Sequence, residues 1–398
     1  MKWPSEPPPT AGLPLLWQDF WPSDASLEDD LAAYLQQSSI EITSSGTAAI
    51  FLALATLKQT SQRRNVVIPA YTCPLVPLAI LRCGLIPVLC DTQLNHFDFC
   101  LPTLKSVCNE DTLAIIPTHL AGRLADIGSI SKIAHEVGAY VVEDAAQALG
   151  AKWQGKIAGT LSDMGCFSLG VGKGLTIYGG GAVVARNEKH QLLLREVCDN
   201  ANSRQIIEET KRTFALVGYY LFYRPIGLTL TFGLTLRRKL KKNQLIEAAG
   251  DDCHADFPLH RVGRWRKKKG ARALKRLPSF IEQTNAQAYH RKSILTAIHG
   301  LIVMDDTKGN VGVWPYFLVL MPTEQARDLA LAKLWPARLG VGRLFIHALC
   351  NYDYLPFKNQ ITPNARDFAA RTLTITNSLW LGDADFMNIC KVLEQSLG

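Results

Sequence analysis

The chain has 398 residues, a hydrophobic fraction of 47%, a charged fraction of 20% and a formal net charge of +8. That balance supplies apolar side chains for large buried cores and excludes a disordered or low-complexity chain. The length exceeds one compact core, so two domains are expected.

Met1-Lys2-Trp3-Pro4 and the prolines Pro7, Pro8 and Pro9 are followed by no apolar run of signal-peptide length, so no secretory leader is expected. The ten cysteines form no CxxC pair and no regular spacing, which suggests reduced, mostly buried thiols in a cytoplasmic enzyme. Ser44-Ser45-Gly46-Thr47 precedes Ala48-Ala49-Ile50-Phe51-Leu52-Ala53-Leu54-Ala55, a strong helix former. Small residues at a helix N-terminus leave free N–H groups at a positive dipole end, which suits a phosphate. Ser and Thr are also ordinary N-caps.

From Asn65, short apolar runs alternate with helical segments. The runs 66–69, 86–90, 113–117, 140–143 and 182–185 are expected as strands, and 75–83 and 127–138 as helices. This alternation predicts an α/β fold with a mainly parallel sheet and helices on both faces. Pro69 and Pro117 each end a strand, so the loops carrying Tyr71 and His119 start at the sheet edge where ligands bind. His119 is open to two uses, a substrate or cofactor contact or a hydrogen-bonded structural histidine. His96-Phe97-Asp98-Phe99-Cys100 puts three possible metal ligands on one strand face, but no second ligand group lies nearby and no metal is expected.

Val141-Val142-Glu143-Asp144 is expected as a buried strand ending in acid. A carboxylate there can pair with a pyridinium nitrogen and keep it protonated; it can also cap the next segment. Strand alternation sends Glu143 and Asp144 to opposite faces. Gln147 is close enough in sequence to reach a hydroxyl on the same ring. Lys173 stands between Gly172 and Gly174 in a glycine-rich turn, and no other charge lies between Asp163 and Arg186. Desolvation there lowers an amine's pKa and frees it for Schiff-base chemistry, whereas a lone loop lysine would face water. Ser168, five residues earlier, offers a phosphate hydrogen bond or is a polar strand residue.

After Arg186, 188–199 is expected as a helix. From Phe214 to Leu236 the chain is almost wholly apolar apart from Arg224-Pro225, and Arg237, Arg238, Lys239, Lys241 and Lys242 follow. Arg224 would cost roughly 2.5–3.5 kcal/mol at a bilayer centre and Pro225 would break the helix. Two readings stay open for 214–242: a hairpin packed on the enzyme or a partner subunit, and short helices lying at a membrane surface with a basic anchor. Arg264-Trp265-Arg266-Lys267-Lys268-Lys269 forms a second basic cluster, either a solvated face or a contact for anionic lipid or a nucleotide diphosphate. No recognition motif accompanies it, so nucleic acid is not expected. Further on, 270–277 is expected as the helix opening a small domain, 311–320 as a strand, and 323–334 and 384–397 as helices of an α+β unit.

Gly46-Thr47-Ala48-Ala49, Pro69-Ala70-Tyr71-Thr72, Pro117-Thr118-His119-Leu120-Ala121-Gly122, Glu143-Asp144-Ala145-Ala146-Gln147-Ala148 and Cys166-Phe167-Ser168 with Lys173 occur in that order. Together they resemble the DegT/DnrJ/StrS aminotransferases, in order from about Thr43 to Arg186 and more loosely beyond. Leu339-Gly340-Val341-Gly342 and Tyr352-Asp353-Tyr354-Leu355-Pro356 resemble that family's C-terminal loop and strand. The resemblance implies the fold type I architecture of pyridoxal-phosphate-dependent transferases. Its large α/β domain, with a mainly parallel seven-stranded sheet, would span 1–260 and carry an insert at about 203–255. A small C-terminal α+β domain would span 261–398.

By the same resemblance the cofactor is pyridoxal 5'-phosphate. Lys173 would hold it covalently and Asp144 would pair with its ring nitrogen. Gln147 would meet the ring hydroxyl, and Gly46, Thr47 and Ser168 would hold the phosphate. His119 and Tyr71 would contact substrate. The activity implied is transfer of an amino group from glutamate or glutamine to a nucleotide-linked keto-sugar, for a surface polysaccharide or secondary metabolite. The enzyme would be a cytoplasmic homodimer, with peripheral membrane contact through 214–242 left open. Relatives that dehydrate keto-sugars replace the lysine with histidine, so Lys173 argues against that chemistry. Two departures stand out. Cys73 takes the place of an aromatic that stacks on the cofactor ring, which would leave stacking to Tyr71 or another residue. Val262-Gly263-Arg264 replaces an Asn-x-Arg motif whose Asn reaches the neighbouring subunit's phosphate. Both, together with the apolar insert, favour the alternative, a catalytically weak or inactive member acting as a membrane-surface or regulatory protein.

Overall fold

The apolar runs form strands of one sheet because each is buried on both faces, as parallel strands covered by helices must be. In the computed structural model, which describes residues 5–358 and 360–397, the strands are β1 (Glu41–Thr43), β2 (Asn65–Pro69), β3 (Ile86–Cys90), β4 (Thr112–Ile115), β5 (Tyr140–Asp144), the short pair β6 (Lys152–Trp153) and β7 (Lys156–Ile157), β8 (Met164–Ser168) and β9 (Gly181–Ala185). Met1-Lys2-Trp3-Pro4, on which part of the N-terminal reading rests, lies outside the described residues.

Seven of these strands make the large sheet, in the order β1-β9-β8-β5-β4-β2-β3. All its neighbouring pairs are parallel except those made by β9, which runs against both β1 and β8. The flanking helices are α1 (Leu27–Leu35), α2 (Gly46–Lys58), α3 (Leu75–Arg82), α4 (Leu101–Val107), α5 (Ile127–Val137) and α6 (Glu188–Ala201). One core joins α2 and α3 to one sheet face, and a second, built on Val67, Ile115, Ile130 and Val141, covers the other.

The insert is helical throughout: α7 (Ile206–Phe222), α8 (Pro225–Leu228), a π turn (Thr229–Gly233), α9 (Leu234–Lys241) and α10 (Leu245–Ala249). It packs on the enzyme through one side only. Leu216 and Tyr219 of α7 and Tyr223 just after it enter the core with Phe167 and Leu169, while Leu236 joins the C-terminal core. No helix among the described residues is long and apolar enough to cross a membrane.

Next come α11 (Arg264–Leu274) and the long α12 (Leu277–Thr296). β10 (Ile302–Val303), β11 (Asn310–Val311), β12 (Tyr316–Leu320), α13 (Glu324–Leu334), β13 (Val341–Gly342), α14 (Pro363–Arg371), β14 (Thr372–Thr376) and α15 (Asp383–Gln395) follow. β10-β12-β14-β13 form a second, wholly antiparallel sheet, and β11 pairs back onto β6.

Three expectations are corrected. The helix expected at 270–277 is the tail of α11, and the longer α12 follows it. The strand expected at 311–320 is broken before Pro315, which lacks an N–H; its carbonyl instead accepts Ala11 N–H at 2.7 Å. His96–Cys100 is a turn rather than one face of a strand: Asp98 accepts Phe99 N–H at 2.8 Å and Asp126 N–H at 2.7 Å, and His96 Nδ1 accepts Asp98 N–H at 3.1 Å.

Candidate active site

The carboxyl ends of β2, β4, β5 and β8 deliver Cys73, Thr118, Asp144 and Ser168 to one cavity of about 400 Å³. That is an ordinary size for a small-molecule site, and it lies where an open α/β sheet is expected to bind ligands. Gly46, Thr47, His119, Gln147 and Lys173 line the same cavity. Of the residues singled out from the sequence as site candidates, only Tyr71 stays off its wall.

α2 enters the site end-on. Ser45 caps it, its side chain accepting Ala48 N–H at 3.0 Å. The N–H groups of Gly46 and Thr47 belong to the first turn and have no partner within the helix. A Cβ on Gly46 would lie 2.9 Å from Ser168 Cβ, so glycine is required for this helix end to sit against β8. Backbone donors, a dipole end and the nearby Ser168 hydroxyl form a cradle for a phosphate.

Glu143 and Asp144 separate as strand alternation demands. Glu143 turns away from the cavity and is saturated, accepting from Gly159, Leu161 and Ser162 N–H groups at 2.7, 2.6 and 2.8 Å, and from the Ser162 hydroxyl at 3.0 Å. His119 Nε2 lies 3.0 Å from the same carboxylate, and His119 Nδ1 accepts Ala125 N–H at 3.1 Å. Both ring nitrogens are committed, which fixes the proton on Nε2 and makes His119 a structural histidine whose ring faces the cavity.

Asp144 is buried, and among the described residues its carboxylate accepts one hydrogen bond, from Ala146 N–H at 3.1 Å. Burial pushes its carboxyl above the usual range, against the lowering pull of that N–H, Lys173 and His119. Lys173 is shifted the other way: desolvation depresses its amine, against the raising influence of Cys73 and Asp144. An amine and an acid, each disfavoured in its charged form by burial, thus face one cavity with opposite signs.

The turn holding Lys173 is fixed from outside. Gly172 has φ +75°, and a Cβ there would lie 2.2 Å from Thr10 Oγ1, which donates to the Gly172 carbonyl at 2.9 Å. Gln147 is also oriented: its Oε1 accepts Ala121 N–H at 2.9 Å and the Tyr316 hydroxyl. Its amide N–H₂ is left to donate into the cavity.

Tyr71, expected as a substrate contact or stacking ring, does neither. It is fully buried between Phe345 and Phe368, with its hydroxyl 3.3 Å from Thr372 Oγ1. The aromatic rings lining the cavity are those of His119 and Phe345. Cys73 is on the wall, and burial pushes its thiol up to about 12, so it stands there as a neutral, apolar group.

The sequence reading missed the insert's part in the site. Ala249, which ends α10, and Gly250, Asp251 and Cys253 just beyond it line the cavity with Leu344 and Phe345 of the C-terminal unit. Buried Asp251 accepts Ile346 N–H and the Tyr352 hydroxyl, both at 2.6 Å, and so ties the insert to that unit. A lone Asp after a helix carries no signal for a contact about a hundred residues away.

A mainly parallel sheet with an antiparallel neighbour, an end-on helix, an acid at a strand end and a lysine in the next loop define a fold type I transferase of the pyridoxal-phosphate class. Residues 16–221 match the model of the DegT/DnrJ/EryC1/StrS aminotransferase family, and the chain belongs to that family. Its members use pyridoxal phosphate.

GDP-perosamine synthase of Vibrio cholerae is 28% identical over 224 residues, 56% of this chain and 59% of that one. The dTDP-3-amino-3,4,6-trideoxy-alpha-D-glucose transaminase of Streptomyces venezuelae is 32% identical over 198 residues, 48% of this chain and 51% of that one. The chain thus spans about half the length of these curated relatives. Among solved structures, DesV of S. venezuelae superposes with a TM-score of 0.71 at 22% identity, covering 96% of this chain and 90% of that one. The sugar aminotransferase Spr1654 of Streptococcus pneumoniae, described as putative, gives 0.73 at 18% identity in its PMP form, covering 100% and 94%. These likenesses show the fold.

The cavity fits the family's cofactor on its own geometry. It offers a phosphate cradle that a side chain at position 46 would fill, a buried acid with spare acceptor capacity, an amide donor and a desolvated amine.

Proposed function

We propose that the protein is a pyridoxal-phosphate-dependent aminotransferase that moves an amino group from glutamate or glutamine to a keto-sugar on a nucleotide carrier. The observation that carries this reading is the convergence of Lys173 and Asp144 on one cavity with the end of α2. Two of the curated relatives above are named for aminated nucleotide sugars, which supports the substrate class.

When bound, the cofactor supplies an electron sink for the carbon that loses a proton. Gly46 and Thr47 N–H groups and the Ser168 hydroxyl would hold its phosphate. The Asp144 carboxylate would pair with the ring nitrogen, which offsets the burial that otherwise disfavours its charge. Gln147, already oriented by Ala121 and Tyr316, would donate to the ring hydroxyl. Lys173 Nζ, once freed by the amino donor, would take the proton from the donor's α-carbon; the desolvation that lowers its pKa leaves more of it as the free amine that this needs. Cys73 and Leu75 exclude water without competing for protons. The reading includes a homodimer, which light scattering of the purified protein checks.

The test begins with colour. The purified protein should be yellow, and borohydride should fix the cofactor irreversibly on Lys173. Lys173→Ala should fold, lose the label and lose transfer from glutamate or glutamine to every member of a panel of nucleotide-linked keto-sugars. A wild-type protein that never takes up the cofactor would end this reading in favour of a non-catalytic role.

A further inference from the structure

The insert buries one side of its helices and leaves the opposite side apolar as well. On α7 the inward residues are Leu216 and Tyr219, followed by buried Tyr223 at its end, while Ile207, Phe214 and Leu221 recur every seven residues on the outward side. Phe214 is 72% exposed and Leu221 57%. The next helical run repeats the pattern at a spacing of four: Ile226, Leu230 and Leu234 are exposed, whereas Leu228 and Leu236 are buried. A helix apolar on every side is ordinarily enclosed by protein or lipid. Along the outward line, Leu234 is succeeded by Arg238, Lys241 and Lys242, which are exposed. Apolar side chains therefore give way to cations on a single face.

The charge on this segment has one sign. Between Thr210 and Glu247 there is no Asp or Glu, and there are eight Lys or Arg residues. Arg212 and Arg237 are neutralised by Glu208 and Glu6. Arg224, Arg238, Lys241 and Lys242 make no ion pair with any of the described residues. A two-fold contact between copies through this face would bring the cations no carboxylate from the facing segment, which has none between Thr210 and Glu247. A surface of anionic headgroups over acyl chains satisfies both halves of the pattern, with apolar side chains entering the headgroup boundary and basic ones meeting phosphate.

We propose that the outward face of α7–α9 docks on an anionic phospholipid bilayer, lying on its surface without crossing it. The insert then has two working ends. Its outer helices hold the enzyme at the membrane, and its inner end at Ala249–Cys253 forms part of the cavity wall, so the site is held at a fixed height over the lipid. This proposal is independent of the aminotransferase reading.

The test is co-sedimentation of the full chain with vesicles of phosphatidylglycerol and phosphatidylcholine, and with vesicles of phosphatidylcholine alone. Two triple variants accompany the wild type: Phe214→Gln/Leu221→Gln/Leu230→Gln and Arg238→Glu/Lys241→Glu/Lys242→Glu. All six positions are exposed and lie outside the cavity, so the thermal unfolding midpoint should stay near that of the wild type. The wild type should sediment with anionic vesicles only. Each variant should lose that binding, the basic one by about 100-fold or more, since each surface cation is worth about fivefold. A wild type that stays in the supernatant overturns the proposal. So does a variant of either kind that binds as the wild type does. Loss of dimer mass in either variant, without vesicle binding by the wild type, would reassign the face to a protein contact.

Discussion

Gly46 stands so close to Ser168 that a Cβ on the glycine would meet the serine's Cβ at 2.9 Å and its Oγ at 3.3 Å. The first turn of α2 and the last residue of β8 thereby share one small space, and that space is the proposed phosphate cradle. Gly46→Ala should push the helix end from the strand at a cost of about 1–3 kcal/mol, as overpacking does. Cofactor retention on dialysis should fall well before the fold is lost, because the displaced N–H groups are the proposed phosphate ligands. Equal retention in Gly46→Ala and wild type would place the phosphate elsewhere.

Glu143 and Asp144 are adjacent acids with separable uses. Glu143→Ala strands three backbone N–H groups, a hydroxyl and His119 in the interior. Thermal or denaturant unfolding should show a loss of about 3–5 kcal/mol, the range for breaking a buried charged network. Asp144→Asn keeps the shape and the bond from Ala146, so stability should change little. Its rate of amine transfer should fall by about two orders of magnitude, the scale for removing one preorganised electrostatic partner. Reversed behaviour of the two variants would exchange their roles.

The positions of these residues were legible because parallel, buried strands leave continuous apolar runs, and the cavity lies where those runs stop. Lys173, Asp144, Gln147, Ser168 and the Ser45–Thr47 turn are all marked in this way. Tyr71 was misjudged because its neighbours in space, Phe345, Phe368 and Thr372, lie far along the chain. Asp251 was missed for the same reason. α11 was largely hidden because it is rich in basic residues and has no apolar period, yet its Arg266 and Lys269 are buried. Local pattern reports which face is apolar; it does not report which distant element supplies the cover or the counter-charge.

The depressed pKa of Lys173 has a definite sign in stability. The folded protein without cofactor releases the Lys173 proton at lower pH than the unfolded chain, whose lysines titrate near the ordinary 10.5. Between those two values the unfolded state holds more protons, so stability rises with pH. Urea unfolding of the cofactor-free protein should therefore show this rise on approaching pH 10.5 from below. Lys173→Met, which cannot ionise, should be the more stable protein at neutral pH and should lack this contribution. A wild-type profile that matches Lys173→Met would mean that the amine is solvated.

Arg266 makes the second basic cluster a brace, where a solvated face or an anion contact was expected. Its fully buried guanidinium bonds Glu209 of α7 through Nε at 2.8 Å and Nη2 at 2.5 Å, and Nη1 donates to the carbonyls of Ile177 and Gly179 at 2.9 and 2.6 Å. Its neighbours are occupied too: Lys267 pairs with Glu28, and Lys269 donates to the Phe20 carbonyl at 2.9 Å. Those two carbonyls belong to the loop that carries Lys173, so one side chain joins the insert, α11 and the loop of the reactive amine. Arg266→Ala should cost about 3–5 kcal/mol, because it leaves Glu209 and two carbonyls without their donor. Arg266→Lys keeps the charge but cannot span the fork and the carbonyls together, so it should recover only a minor part of that loss. Because the brace steadies the loop rather than touching the reaction, both variants should release cofactor faster in stopped-flow fluorescence. Arg266→Lys with wild-type stability and wild-type release would show that charge alone suffices and that the fork geometry is incidental.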